Sequence, residues 1–223
     1  MSKSDDNTAL RETLCELAKS LFDRGLTAGS TGNISARTPD GGLLVSPTGT
    51  CFGRLDPARL SLFDAGGRFV NGDKPTKEMP LHTAFYETRG DTAAVVHLHS
   101  CHAVALSLIT PPESDNFLPP LTPYSIMQLG RVKLLPYFHP GDAAMGEAVL
   151  KLKGQHHAVM LANHGPVVAG KSVEAACNAI EELEATAKLS LLLKGVQGGQ
   201  VPQPRELDER QINELVEKFD LKW

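Results

Sequence analysis

The run VVHLHSCHAVAL, residues 95–106, sets His97, His99 and His102 in an otherwise apolar stretch. Imidazole nitrogens buried among apolar side chains need partners, and a divalent transition metal is one such partner. Alternate residues of a strand share a face, so His97 and His99 project together while Leu98 turns into the opposite packing layer. A hydrogen-bonded pair of core histidines is the competing reading. His102 falls on the next element and is expected to be structural or supporting. LANHGPVV offers a third imidazole, His164, at the end of an apolar run and before the Gly165-Pro166 reversal, a position that faces a cleft. Three histidines leave one coordination position open, as catalytic zinc sites require. The imidazoles alone would also accept manganese, cobalt or nickel. His82, His139, His156 and His157 are less constrained, and the His156-His157 pair, ahead of its strand, is expected to be solvated.

Proton chemistry needs a further group. KPTKEMPLH sets Glu78 at a helix start, where negative charge is favoured. A carboxylate near a metal can serve as general acid or base, or as an exchangeable ligand; the plainer reading is a helix cap. Three hydroxyl-rich turns, AGSTGNIS with Ser30 and Asn33, SPTG with Thr48 and Gly49, and KPTKE with Thr76 and Lys77, have the groups to cradle a phosphate,. None is a P-loop or a dinucleotide fingerprint.

These residues must be held by a scaffold whose outline is legible. Leu10, Leu14, Leu17 and Leu21 keep helical spacing up to Gly25,. NISART and LLVSPTG read as strands joined by a Pro39-Asp40-Gly41-Gly42 turn, and LFDAGGRFVNGD holds a second turn between short strands,. A helix is expected over MPLHTAFYETRG, with Pro80 in its first turn, then a buried strand TAAVVHLH and a helix CHAVALSL. Thr110 to Pro123, with its five prolines, reads as a long connection of a kind that is often functional,. Beyond it come a strand at KLLPYF, a helix at DAAMGEAVLKL, and paired strands AVMLANHG and PVVAG. A long helix from Ser172 to about Gly195 and a short one at DERQINELVEKF close the chain,. Strands between flanking helices predict a mixed, mainly antiparallel sheet in an α/β/α sandwich, with residues 1–223 as a single domain.

Composition narrows the function classes. The 223 residues are 41% hydrophobic and 22% charged, with a net charge of -4, which argues against a nucleic-acid partner. No apolar run reaches membrane-spanning length, and the first ten residues lack a signal-peptide layout. Cys15, Cys51, Cys101 and Cys177 are scattered and read as reduced thiols of a cytoplasmic protein,.

Taken in order, GNIS, SPTG, KEMPLH, VVHLHS and NHG resemble the class II aldolase/adducin family over nearly the whole chain. The likeness implies a homotetramer with zinc-containing active sites between subunits. Carried over, His97, His99 and His164 look like the zinc ligands, and Glu78 like the catalytic acid/base and a further ligand. Ser30, Asn33, Thr48, Gly49 and Thr76 fall on phosphate-binding positions. The family's aldolases carry two serines where this chain has Thr76 and Lys77, and the added cation would suit a more anionic substrate. TPYSIMQLGRVKLLPYFHPGD narrows the resemblance to the 3-oxo-tetronate 4-phosphate decarboxylase branch. That branch implies a small phosphorylated sugar-acid substrate, loss of carbon dioxide through a metal-stabilised enediolate, and dihydroxyacetone phosphate as product. Glu78 would then manage protonation, aided by Tyr124 of a neighbouring subunit. Two other family activities compete: aldol cleavage of a phosphorylated ketose or sugar acid, as in fuculose phosphate aldolase, and a non-catalytic adducin-like module.

Overall fold

The computed structural model describes residues 7–112, 114–196 and 204–223. Helix α1 (Thr8–Asp23) forms on the predicted leucine stripe and buries Leu14 and Leu21 completely, each contributing roughly 1.5–3 kcal/mol. It ends as expected: the Gly25 N–H donates to the Phe22 carbonyl. Strands β1 (Asn33–Arg37) and β2 (Leu43–Val45) make the first hairpin. The second joins β3 (Ser61–Phe63) and β4 (Phe69–Asn71). Then follow α2 (Met79–Thr88), β5 (Ala94–His97), α3 (Cys101–Ser107), α4 (Pro123–Leu129), β6 (Lys133–Leu135) and α5 (Ala144–Lys151). The chain continues through β7 (Ala158–Leu161), β8 (Gly165–Gly170), α6 (Val173–Val196) and α7 (Glu209–Phe219).

The eight strands of the described residues join one sheet in the order β4-β3-β2-β1-β5-β8-β7-β6. Only the β6–β7 pairing is parallel. Strand alternation divides the core between the two faces. Ala94 and Val96 of β5 pack with α1, α3 and α6, whereas Val95 packs with α2 and α5. The result is the α/β/α sandwich with a mixed, mainly antiparallel sheet. Ser172 caps α6 as expected, its Oγ accepting from the Ala175 N–H at 3.0 Å. No helix among the described residues is long and apolar enough to cross a membrane.

Three local expectations need correction. The strand predicted through His99 stops at His97, because Leu98 makes one last bond to the Pro166 carbonyl (3.2 Å) and the chain then turns into α3. The proline-rich connection runs into a helix, α4, which the sequence reading left out. Thr122 caps it by accepting from the Ser125 N–H, and Pro123 occupies its first turn, where a missing N–H costs nothing. Finally, His157 is not solvated. Its Nε2 donates to the Gln128 carbonyl at 2.8 Å, and burial pushes its pKa down.

Candidate active site

The last residue of β5 and the turn between β7 and β8 meet at one end of the sheet. His97 closes β5, paired with Asn33 of β1 on one side and Val167 of β8 on the other. His164 sits in the β7–β8 turn, where its N–H donates to the Leu161 carbonyl. The glycine after it has a steric reason: a Cβ on Gly165 would lie 2.0 Å from the Leu98 carbonyl oxygen. That close approach brings the turn against His97. Gly32 plays a similar part before β1, with a φ of +83° and space for a Cβ only 2.9 Å from the His97 carbonyl oxygen.

The three predicted histidines converge. Ring centroids are 4.9 Å apart for His97–His99, 4.9 Å for His97–His164 and 4.7 Å for His99–His164. One nitrogen from each lies within 4.8 Å of the others. His97 Nδ1 faces the Pro166 carbonyl oxygen at 2.9 Å; a carbonyl only accepts, so Nδ1 carries the proton and the Nε2 lone pair is bare. His97 Nε2 and both His164 ring nitrogens are buried without a hydrogen-bond partner among the described residues. Such burial costs about 1–3 kcal/mol per group. Burial, then the neighbouring imidazoles, hold the His97 pKa well below its usual value, and burial foremost lowers those of His99 and His164. Neutral rings with converging, unspent lone pairs fit a divalent metal ion.

Glu78 reaches this cluster from the N-cap of α2. It is 6% exposed, with Oε2 3.4 Å from His97 Nε2 and Oε1 3.5 Å from His164 Nε2. The placement serves a proton-handling carboxylate and a metal ligand equally well. Asn33 donates from Nδ2 to Glu78 Oε2 at 2.7 Å.

The hydroxyl-rich turns are brought together in part. Thr48 N–H donates to the Lys74 carbonyl, and Pro47 pairs with Pro75, so SPTG and KPTKE lie side by side. Thr76 is buried and its Oγ1 accepts from the Glu78 N–H at 3.3 Å, while Ser30, Gly49 and Lys77 are exposed. Asn33 differs from the other candidates for anion binding. It is buried, and each end of its carboxamide already makes one bond, Nδ2 to Glu78 and Oδ1 with His82, which leaves one N–H of Nδ2 for an anion,. Tyr124, in the first turn of α4, is 63% exposed. His102 belongs to another site altogether: its Nδ1 and backbone N–H both bond Glu184 of α6, at 2.7 and 2.9 Å. The residue that sequence reasoning passed over is His82, fully buried behind Asn33. Its four-residue spacing from Glu78 was the available signal.

Comparison with known proteins gives the chain a family. The family model described as Class II Aldolase and Adducin N-terminal domain matches residues 12–191. A 3-oxo-tetronate 4-phosphate decarboxylase of Escherichia coli is 48% identical over 185 residues, 83% of this chain and 87% of the relative. A solved structure of Escherichia coli YgbL, whose activity was left open between aldolase, epimerase and decarboxylase, matches with a TM-score of 0.87 at 44% identity. It covers 94% of this chain and 98% of that one. More distant is a 5-deoxy-D-ribulose 1-phosphate aldolase of Bacillus thuringiensis, 29% identical over 213 residues, 94% of this chain and 95% of the relative.

Proposed function

Since this chain belongs to the class II aldolase and adducin family, we propose that it is a metal-dependent carboxy-lyase that converts a 3-oxo-tetronate 4-phosphate to dihydroxyacetone phosphate and carbon dioxide. The observation that carries this choice is similarity to the decarboxylase at 48% identity, against 29% to the aldolase. In this reading residues 1–223 form one domain, and His97, His99 and His164 hold the ion, which we take to be zinc. When bound, the metal would supply a Lewis acid for the substrate's ketone and for the negative charge that develops there.

The chain's own groups supply the rest. Loss of carbon dioxide breaks the C1–C2 bond and leaves its electron pair shared between C2 and the C3 oxygen. One proton delivered to C2 completes the product. Glu78 relays that proton from solvent, with Oε2 held by Asn33 and Oε1, 3.5 Å from His164 Nε2, without a side-chain hydrogen bond among the described residues. Thr48, Gly49 and Thr76, with Ser30 and the remaining N–H of Asn33, would anchor the phosphate and so orient the reacting carbons. Exposed Lys77 would face the departing carboxylate. We extend the reading to a cytoplasmic homotetramer, in which the exposed Tyr124 would bring a second proton donor to the neighbouring subunit's site.

Incubating the protein with 3-oxo-tetronate 4-phosphate, with and without chelator, tests the reading. Metal-dependent release of equal amounts of carbon dioxide and dihydroxyacetone phosphate is expected. An aldehyde released from a ketose phosphate, with no decarboxylation, would install the aldolase in its place.

A further inference from the structure

Behind Glu78 lies a row of buried polar groups, of which His82, Ser35 and Tyr86 take no part in the reaction as proposed. Glu78, His82 and Tyr86 follow at four-residue steps along α2, and Asn33 and Ser35 follow at a two-residue step along β1. Four helical residues rise about 6 Å and two strand residues about 6.6 Å, so the two rows mesh. Asn33 Oδ1 meets His82 Nε2 at 2.5 Å, His82 Nδ1 meets Ser35 Oγ at 2.7 Å, and Ser35 Oγ meets the Tyr86 hydroxyl at 2.9 Å. His82 and Ser35 are both 0% exposed.

The direction of every bond follows from the first. A carboxylate only accepts, so Asn33 turns its NH2 to Glu78 and its oxygen to His82. That oxygen also only accepts, so His82 carries its proton on Nε2. Burial foremost keeps this ring neutral, its pKa pushed down to about 3. The bare Nδ1 accepts from the Ser35 hydroxyl, and Ser35 Oγ accepts from the Tyr86 hydroxyl. Five residues thus form a chain with each bond donated toward Glu78.

We propose that His82 is a positioning residue for the reaction: backed by Ser35 and Tyr86, it fixes Asn33 so that Glu78 Oε2 is held and Oε1 is left to handle the proton. The inference rests on the role of Glu78 proposed above. It separates from the choice of substrate, because one arm of its test uses none.

That arm is histidine-selective nitrogen-15 NMR of the metal-free protein at pH 7. His82 is expected to be neutral with its proton on Nε2; a proton on Nδ1 overturns the inference whatever the substrate proves to be. The other arm is kinetic, on the holoenzyme with whichever substrate the wild type turns over. His82→Phe is expected to lower kcat about 10- to 100-fold, the range for orienting partners, with KM within about twofold and metal content unchanged. His82→Gln, which can donate to Asn33 and accept from Ser35, is expected to recover most of that loss. Unchanged kcat in His82→Phe, or no recovery in His82→Gln, overturns the proposal. If His82→Phe does not fold, Tyr86→Phe and Ser35→Ala take its place. Each is expected to lower kcat severalfold at constant KM, and unchanged kcat in both overturns it equally.

Discussion

His97 and His82 are both 0% exposed, yet their ring nitrogens meet opposite fates. His82 has a partner for each nitrogen, whereas His97 Nε2 and both nitrogens of His164 have none among the described residues. Burial alone therefore does not mark a metal ligand. An unspent lone pair is what we take to mark one, because the fold has removed it from water without offering a protein donor. The largest effects should separate the two sets. His164→Ala is expected to abolish metal binding and to lower turnover about a thousandfold, equivalent to about 4 kcal/mol of charge stabilisation. The metal-free protein should lose little stability, since no side-chain hydrogen bond disappears. His82→Ala should behave the other way, retaining metal but destabilising the metal-free protein by about 3 kcal/mol, as Asn33 and Ser35 lose their partner beside a new cavity. Metal analysis and urea unfolding on both variants check the contrast, and metal loss in His82→Ala alone would invert it.

Glu78 stands where the two sets touch, and its substitution sharpens the boundary. Glu78→Gln keeps the shape and an acceptor oxygen but removes the ability to relay a proton. Turnover is expected to fall about 100-fold, with metal content unchanged by elemental analysis. Full turnover would reject the proton role. Loss of the metal would make Glu78 chiefly a ligand and move it into the set with His97.

The satisfied histidine also leaves a signature in pH. Folded His82 is neutral with a pKa of about 3, against 6.5 for an unperturbed histidine. Below pH 6.5 the unfolded chain binds a proton that the folded chain refuses. Stability present above that pH is therefore lost as pH falls toward 3, by about 1.4 kcal/mol per unit for one proton. His97, His99, His157 and His164, whose pKa values burial also lowers, add their own slopes, so the measurement is the difference between wild type and His82→Gln in urea unfolding of the metal-free proteins between pH 7 and pH 5. The variant should show the shallower dependence. Identical slopes would mean that His82 does take up a proton in the folded state.

How far this could be read beforehand differs between the cluster and the row behind it. His97 and His99 announce themselves by alternation within an apolar run, and His164 by its place before Gly165 and Pro166. Glu78 is announced by the Pro80 that starts its helix. The roles of Asn33 and His82 depend on register. Gly32-Asn33 reads as part of an anion-binding turn, and the pattern does not show that β1 also begins at Asn33 and pairs it with His97, which sends the carboxamide under α2. Nothing in the one-dimensional pattern says that α2 will lie over β1 with its four-residue step in phase with a two-residue one. Helix α4 was missed for a different reason. The prolines that lead into it read as a loop, although a Thr-Pro pair is also how a helix begins.

The smallest effect returns to the crowded histidine run. His102 lies five residues beyond His97 in sequence, yet its partner is Glu184, which accepts from the His102 N–H at 2.9 Å, the Ala103 N–H at 2.8 Å and His102 Nδ1 at 2.7 Å. Two of those three donors are backbone groups at the start of α3, so the carboxylate keeps most of its bonds when the imidazole is removed. The His102 side chain is also 39% exposed, and solvent screens such a pair. His102→Ala should therefore change unfolding stability by less than about 1 kcal/mol, with metal content and kcat as in the wild type. Substituting the carboxylate should do more: Glu184→Ala removes an acceptor from two orphan N–H groups of a helix end, a loss of about 1 kcal/mol or more. A fall in metal content on His102→Ala would couple α3 to the site, and the proposed division of this run into two ligands and one structural histidine would have to be redrawn.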